Sequence, residues 1–474
     1  MRITKIEVCD FRGFPGPAVY DFEFGNARNL LIYGENGSGK SSLFRAIQEF
    51  FNRGKKAKPF ADFKNITLPA LTDGHVSIHF DNGATQQWPY GGNRPLSTPP
   101  ASQTALQVGC LDYRSLLETN FSQKGENVNL FDIAVNHLVD RMEVPIEGGG
   151  SARIGDLWNA VLASKPWANY KKYVLKCSHA VGRFNGAFEP VLTPLMDQAS
   201  RLLKKFPGCD FELGVSFQPV EYQLKSKTFT NQDLILSVKR NGVTIINHHD
   251  FFNEAKLSAV GLVIYLAGLL NTVPPVSIHP KLLVLDDVLI GLDMQNRMPV
   301  LDLLAEQFAS WQVILMTHDK VWYEMVQLQL EGKTDWKAYE LYAGQNEIPI
   351  HHQREGGAEY FLLRARDHLA ANDLPGAANY ARAAFEWKIK KYCDEWSVKV
   401  PYKRDAGSIK AEAFWQASKE HSLSKAKADL SILFAAVEKW KKIVLNPLSH
   451  SETVPVTRHE VQSAIDAVQD LRFK

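Results

Sequence analysis

An apolar run, Leu30-Leu31-Ile32-Tyr33, leads directly into Gly34-Glu35-Asn36-Gly37-Ser38-Gly39-Lys40-Ser41, and the residues that follow, to Phe50, carry a helical period. The order is strand, glycine-rich loop, helix, which is the context that G-x-x-x-x-G-K-[ST] requires if it is to hold phosphate. Gly34, Gly37 and Gly39 let the main chain wrap tightly enough for its N–H groups to point at phosphate oxygens. Lys40 brings a positive charge to the β- and γ-phosphates, and the Ser41 hydroxyl is placed to ligate Mg²⁺. The helix N-terminus adds a favourable dipole. Asn36, Ser38 and Ser42 belong to the same expected cradle, and Arg12, in the Phe11-Arg12-Gly13-Phe14 stretch that closes the first strand, is expected beside it. The cofactors expected are ATP and Mg²⁺.

A second apolar run, Lys281 to Asp287, ends in two carboxylates. Asp286 is expected to hold the Mg²⁺ shell, and Asp287 to orient an attacking water as general base. Gly291-Leu292-Asp293 follows at once, and a further strand, Val313 to Met316, ends in Thr317-His318-Asp319. A histidine at the C-terminal end of a sheet strand lies on the side where α/β sheets bind ligands, so His318 is expected to reach the γ-phosphate. Strands alternating with helices after a phosphate loop argue for a mainly parallel sheet covered by helices.

With 474 residues the chain has room for two or three domains. The net charge of +2 settles nothing about nucleic acid, since only clustered charge would matter. Two clusters exist, Arg53, Lys55, Lys56, Lys58 and Lys388, Lys390, Lys391, Lys399, Lys403, Arg404. Each reads first as a solvated face. The five cysteines show no C-x-x-C spacing, which suggests reduced thiols in a cytoplasm. The N-terminus has no signal-peptide h-region, and Leu257 to Leu270 falls short of a membrane span, so it reads as a buried core helix and no membrane is expected. A helical insertion is expected at about 113–206 within a head of residues 1–355. A helical domain, 356–474, follows.

Phosphate loop, LVLDD, GLD and a strand-terminal THD, in that order, resemble the ABC-type ATPase heads of the SMC, RecF and RecN group over about residues 1–345. The fold implied is α/β, an ABC-type P-loop ATPase head with a helical lobe, followed by an all-α C-terminal domain. The resemblance also implies a signature segment that reaches the nucleotide of a second subunit. The matching stretch is Asn253-Glu254-Ala255-Lys256-Leu257-Ser258-Ala259, with Ser258 as the γ-phosphate contact and Asp293 nearby. Ala259 and Val260 depart from the family's glycines, and Asp287 stands where it has glutamate, which points to slow hydrolysis. Asp112, at the end of the strand Ala105 to Leu111, matches the place of the family's metal-side glutamine. Only 246 positions separate Lys40 and Asp286 (286 − 40), so the head carries no long coiled-coil arm.

In the C-terminal domain Arg382 and Glu386 are four apart on one expected helix, and Asn446-Pro447-Leu448-Ser449-His450 ends a later one. One reading is an i,i+4 ion pair worth a few tenths of a kcal/mol. Another is a metal-independent ribonuclease, Glu386 and His450 moving protons and Arg382 stabilising the phosphorane. The R-x-x-x-E and N-x-x-S-H pattern resembles the HEPN-like anticodon-nuclease domains of the PrrC and RloC families. As a whole the chain resembles the ATPase subunits of bacterial anti-phage systems, the PtuA family of Septu above all, with the AriA ATPases of PARIS as siblings. That resemblance implies a homo-oligomer of ATP-sandwiched heads and a partner nuclease of HNH or TOPRIM type. A RecF-like DNA-repair ATPase and a self-contained tRNA ribonuclease stay open as alternatives.

Overall fold

The computed structural model describes the chain apart from residues 1, 27, 52–57, 67–72, 95–107, 119–128, 147–148, 169, 246–250, 273–280, 331–334, 345–348, 355–356, 402–408, 426–429, 448–455 and 474. It divides into two compact units, Met1–Gln353 and Arg354–Lys474.

The first unit is built on a six-stranded sheet. Its strands are β3 (Asn29–Gly34), β6 (Val108–Asp112), β9 (Leu282–Asp286), β10 (Gln312–Thr317), β11 (Trp336–Ala343) and β12 (Pro349–Arg354), in the order β12-β11-β3-β10-β9-β6. Pairing is parallel from β11 through β6. Parallel sheets are covered on both faces, and the alternation of side chains shows how. Leu30, Ile32, Leu282, Val284, Ile314 and Met316 enter one core, and Leu31, Tyr33, Leu283, Leu285, Val313 and Leu315 enter the other. The near-continuous apolar runs of the sequence are thus strands buried on both sides.

On the first face lie α1 (Lys40–Phe50) and an antiparallel sheet, β2-β1-β4-β5, made of β1 (Ile3–Phe11), β2 (Phe14–Glu23), β4 (His75–Phe80) and β5 (Thr85–Pro89). The Gln312 side chain ties the two sheets: its Oε1 accepts from Ile3 N at 2.8 Å, and its Nε2 donates to Ile3 O and Arg28 O at 2.8 and 2.9 Å. On the other face lies α4 (Glu254–Thr272), apolar all round and therefore a core helix. It is long and apolar enough to cross a membrane, and 61% of that window is buried within the head.

Beyond α4 is a helical lobe. α2 (Ile154–Ala163) and α3 (Lys171–Leu203) form a hairpin, and β7 (Glu212–Phe217) pairs with β8 (Leu234–Arg240) beside it. Cys177, Val181, Phe184, Phe188 and Leu195 repeat at helical spacing and are buried. The insertion is less uniformly helical than expected. Residues Tyr113–Glu118 and Phe131–Leu138 are helical, the latter closing in a wide π turn, but Glu143–Pro145 is a strand paired with Ser151–Arg153. Gly149 and Gly150, both at φ near +90°, provide the reversal that a helix cannot make.

The second unit is a helical bundle of α7 (Ala358–Ala370), α8 (Leu374–Glu395), α9 (Ala411–Lys425), α10 (Ser431–Trp440) and α11 (Arg458–Asp470). In the head, α5 (Met294–Gln307) and α6 (Lys320–Leu330) complete the helices. Ala365, Ala377, Ala378, Ala381 and Ala384 are fully buried, so α7 and α8 approach closely, while Trp415, Phe385 and Phe434 fill the centre. Asp373 caps α8, and Thr457 with Glu460 forms a capping box on α11. The Lys388 ammonium donates to the carbonyls of Val468, Gln469 and Leu471, closing the end of α11. It is thus a helix cap, and Lys390 and Lys391 pair with Glu386 and Glu395. Arg53, Lys55, Lys56, Lys403 and Arg404 lie outside the described residues.

Candidate active site

The core groups of the expected ATP site come from the C-terminal edge of the parallel sheet. β3 delivers the phosphate loop, β9 delivers Asp286 and Asp287, and β10 delivers Thr317 and His318. Sequence separation is large, but the parallel register sets Leu285 beside Leu315 and Thr317 beside Tyr33.

The loop itself is dictated by its glycines. Gly37 and Gly39 sit at φ +84° and +93°, a region side chains rarely adopt, and a Cβ on Gly34 would lie 2.6 Å from Ser38 Oγ. The Ser38 hydroxyl is buried with no hydrogen-bond partner among the described residues, and the Ser38 N–H donates to Glu35 O at 3.1 Å, so this residue shapes the loop with its side chain turned inward. Ser42 Oγ accepts from Gly13 N at 3.1 Å and thereby pins the Phe11–Phe14 turn against the start of α1. Asn36 and Gly37 are exposed at the loop's crest. Arg12, at φ +50° in that turn, is exposed. Desolvation, then the like charge of Arg45, lower its pKa. A cation crowded by a second cation beside a loop of N–H donors fits a polyphosphate.

Lys40 is buried, and its ammonium bonds to Asp287 Oδ2 and lies 3.5 Å from Asp286 Oδ1. Ser41 Oγ donates to Asp286 Oδ2 at 3.1 Å. Burial pushes the Asp286 carboxyl up from the ordinary value, against the pull of Lys40. Asp287 stands at φ +56°, strained for a residue with a Cβ. Its other oxygen, Oδ1, accepts from His318 N at 2.9 Å and lies 3.0 Å from His318 Nδ1. Asp287, His318, Thr317, Asp319 and Arg297 line a cavity of about 40 Å³, which has room for one or two water molecules. Arg297 holds Asp319 at 2.5 Å and Leu292 O at 2.7 Å. Burial opposes ionisation of Asp319, but the N–H of Trp322 and the Arg297 guanidinium outweigh it and lower the pKa.

The residues fit ATP and Mg²⁺. Ser41 and Asp286 present two hard oxygens at one point, all that Mg²⁺ needs beside phosphates and water. Among the described residues no cluster of three His, Cys, Asp or Glu suggests any other metal. Asp112 pairs in register with Asp286, yet its Oδ1 accepts from Ser115 N at 2.8 Å and its Oδ2 lies 3.7 Å from Arg45. It starts the helix Tyr113–Glu118 rather than joining Ser41.

Ser258 and Asp293 have partners within the first unit. Ser258 is buried on α4, and a Cβ on Gly291 would lie 2.2 Å from its Oγ, so the hydroxyl packs close against the Gly291 main chain. Asn253 is exposed at the start of α4, and its Oδ1 accepts from Lys256 N at 3.0 Å. The cap preference of Asn before an apolar helix was the signal that places it. Asp293 caps α5 by accepting from Asn296 N at 3.0 Å, so its carboxylate is committed to the head's own main chain.

In the first unit, residues 5–86 match the family model described as an AAA domain. The fold is α/β, a phosphate loop carried by a mainly parallel six-stranded sheet that is covered on both faces. No curated protein matches the chain. Similar solved structures include the Smc head bound to the C-winged-helix domain of ScpA, at 14% identity over 75% of this chain and 98% of that one, TM-score 0.43. The SMC head domain from Thermotoga maritima matches at 17% identity, covering 75% and 100%, TM-score 0.35. The recombination mediator RecF with ATP matches at 12% identity, covering 74% and 98%, TM-score 0.44.

The second unit has a cleft of its own. Arg382 Nε donates to Glu386 Oε1 at 3.0 Å, and both line a cleft of about 340 Å³ with Lys410, Glu412, Lys441 and Asn446. Asn446 follows Lys441–Leu445, where α10 widens into a π turn, a distortion common at functional sites. Lys441 is buried, and its ammonium pairs with Glu412 and Glu438 at 2.8 and 3.1 Å. His450 lies outside the described residues.

Proposed function

We propose that this chain is a cytoplasmic ATP-binding and slowly ATP-hydrolysing switch subunit of an anti-phage defence complex, one that oligomerises through its heads and controls a partner nuclease. The observation that carries the ATPase reading is the joint engagement of Lys40 and Ser41 with the Asp286-Asp287 pair. Mg²⁺, held by Ser41 and Asp286, would neutralise charge on the phosphates of bound ATP, and Lys40 would leave Asp287 to pair with those phosphates. Asp287, steadied by His318, is left facing the small cavity as a water-orienting base.

Head-to-head closure sets the N-terminus of α4, with Asn253, against the nucleotide of a second subunit. Exposure of Asn253 and Glu254 supports this placement. The nuclease partner and the defence role rest on the resemblance of the motifs alone. The test is Lys40→Ala in cells and in vitro. Loss of both nucleotide binding and phage protection is expected, and retention of both would falsify the reading.

A second reading is favoured by the cleft of the helical unit. Arg382 and Glu386 share it with Asn446, four residues before His450, so this chain is proposed as its own RNA-cutting effector under the alternative. Purified chain incubated with ATP, Mg²⁺ and tRNA, beside His450→Ala, separates the two. Cleavage lost in the variant selects the second reading, and no cleavage selects the first. A RecF-like role in DNA repair would instead show as tight duplex or gapped DNA binding that weakens steeply with salt.

A further inference from the structure

Between Asp156 and Glu189 the chain has no acidic residue, yet it carries Lys165, Lys171, Lys172, Lys176 and Arg183. In a chain whose whole net charge is +2 this is a strong local imbalance. The structure places Lys165 in the turn between α2 and α3, and Lys171, Lys172 and Lys176 on the first turns of α3. Lys165, Lys171, Lys172 and Lys176 are all exposed, and none meets a carboxylate among the described residues.

Three aromatic rings sit among these lysines. Trp167 is 73% exposed and Tyr170 66% exposed, with Tyr173 beside them. Trp167 lies 5.3 Å from Tyr173 and 6.4 Å from Tyr170, ring centre to ring centre, at steep angles. The rings therefore prop one another without covering their faces. Beneath them the hairpin is firm: Trp158, Val161, Cys177, Val181 and Phe184 are buried, and Ser164 Oγ closes α2 by donating to Val161 O at 2.7 Å.

Folding explains neither feature. Large rings that stay in water bring no core burial. Lys171 and Lys172 occupy the first turn of a 33-residue helix whose first turn contains no acid. Cations there face the positive end of the helix dipole, where anions are favoured. Both features are satisfied together by a ligand that has flat π faces and regularly spaced negative charges.

We infer that this tip binds single-stranded nucleic acid, with bases stacking on Trp167, Tyr170 and Tyr173 and phosphates meeting Lys165, Lys171, Lys172 and Lys176. Rings interleaved with uncompensated cations are the composition of single-strand platforms. A protein partner fits less well, because the cores of protein interfaces are depleted in lysine. Duplex DNA would leave the ring faces unused. The site belongs to the first unit and uses none of the residues of the phosphate loop or of the Arg382 cleft. It stands whichever reading of the function holds.

The test uses the full chain and a fluorescent single strand of about 12 nucleotides, as DNA and as RNA, within the usual footprint of such sites. Anisotropy is measured for the wild type, Trp167→Ala/Tyr170→Ala and Lys171→Glu/Lys172→Glu, over a range of salt. Each double variant is expected to weaken binding at least about tenfold, and the oligonucleotide to quench tryptophan fluorescence in the wild type. Loss of two phosphate contacts should lower the slope of log K against log salt by about 1.4. Binding of ATP at the phosphate loop should not change, which also shows that the variants are folded. Three results overturn the inference: no binding by the wild type, a ring variant that binds as the wild type does, or displacement by poly-glutamate as readily as by a second oligonucleotide. The last would assign the tip to an acidic protein.

Discussion

His318 meets Asp287 twice, its main-chain N–H donating to Oδ1 at 2.9 Å and its ring Nδ1 lying 3.0 Å from the same oxygen. The arrangement joins the ends of two neighbouring strands and fixes the carboxylate of a residue at φ +56°. His318→Ala removes the ring contact and leaves the main-chain bond. ATP hydrolysis should fall about 100-fold while ATP binding stays within about threefold, since positioning of a base acts on the chemical step. Single-turnover hydrolysis and equilibrium binding of a fluorescent ATP analogue read the two effects separately.

Lys40 is the only cation in contact with both Asp286 and Asp287 among the described residues. Lys40→Ala leaves two adjacent carboxylates without it in a partly buried site. Discounted for the residual exposure of Asp287, the nucleotide-free protein should lose about 1–3 kcal/mol. Urea unfolding followed by circular dichroism measures this. In the same variant ATP should no longer raise the unfolding midpoint, because stabilisation by a ligand requires binding.

Asp286 gives the site a pH dependence whose sign follows from burial. Its folded pKa is raised, so the native state holds the proton more tightly than the unfolded chain. The associated stability is present at pH below the unfolded aspartate value and is lost as pH rises through the folded pKa. Mg²⁺ needs the carboxylate, so affinity for Mg·ATP should move oppositely and fall as pH drops through that same pKa. Asp286→Asn should flatten both curves, as read by thermal unfolding with and without Mg·ATP across pH.

Much of this site could be read from the sequence, for a physical reason. A phosphate loop is a local object, with its glycines, lysine and serine contiguous, and a doubly buried strand ending in Asp-Asp marks a sheet edge by composition alone. Ser258 shows where such reading stops. The residue type suits a phosphate contact, but its close packing against Gly291, thirty-three residues later (291 − 258), is set by the tertiary fold and has no local signature. Asp293 and Asp112 likewise read as ligands in one dimension, and the fold adds a main-chain contact to each, from Asn296 N and Ser115 N. The lobe's ring-and-lysine tip escaped notice because Trp and Tyr at helical spacing normally signal core, and only exposure distinguishes them.

Asn253 and Ser258 therefore separate by mutation. Asn253→Ala removes the cap of α4 and should cost about 1 kcal/mol in stability, together with ATP-dependent self-association. Ser258→Ala should leave self-association unchanged. Light scattering of each variant with and without Mg·ATP compares them.

Arg382 and Glu386 form an i,i+4 pair that is partly exposed. Arg382→Ala should change stability by less than about 0.5 kcal/mol. Thermal unfolding checks this, and it makes any loss of RNA cleavage in that variant a chemical effect.

The account's central claim, that the phosphate loop and the Asp286-Asp287 pair form an ATP-hydrolysing site, is tested most directly by single-turnover hydrolysis of Mg·ATP in the wild type and Asp287→Asn. The account predicts slow turnover by the wild type. It predicts a variant that binds ATP within about threefold of the wild type yet hydrolyses it about 100-fold more slowly. Equal rates in the two proteins, or no binding of ATP by the wild type, would contradict it.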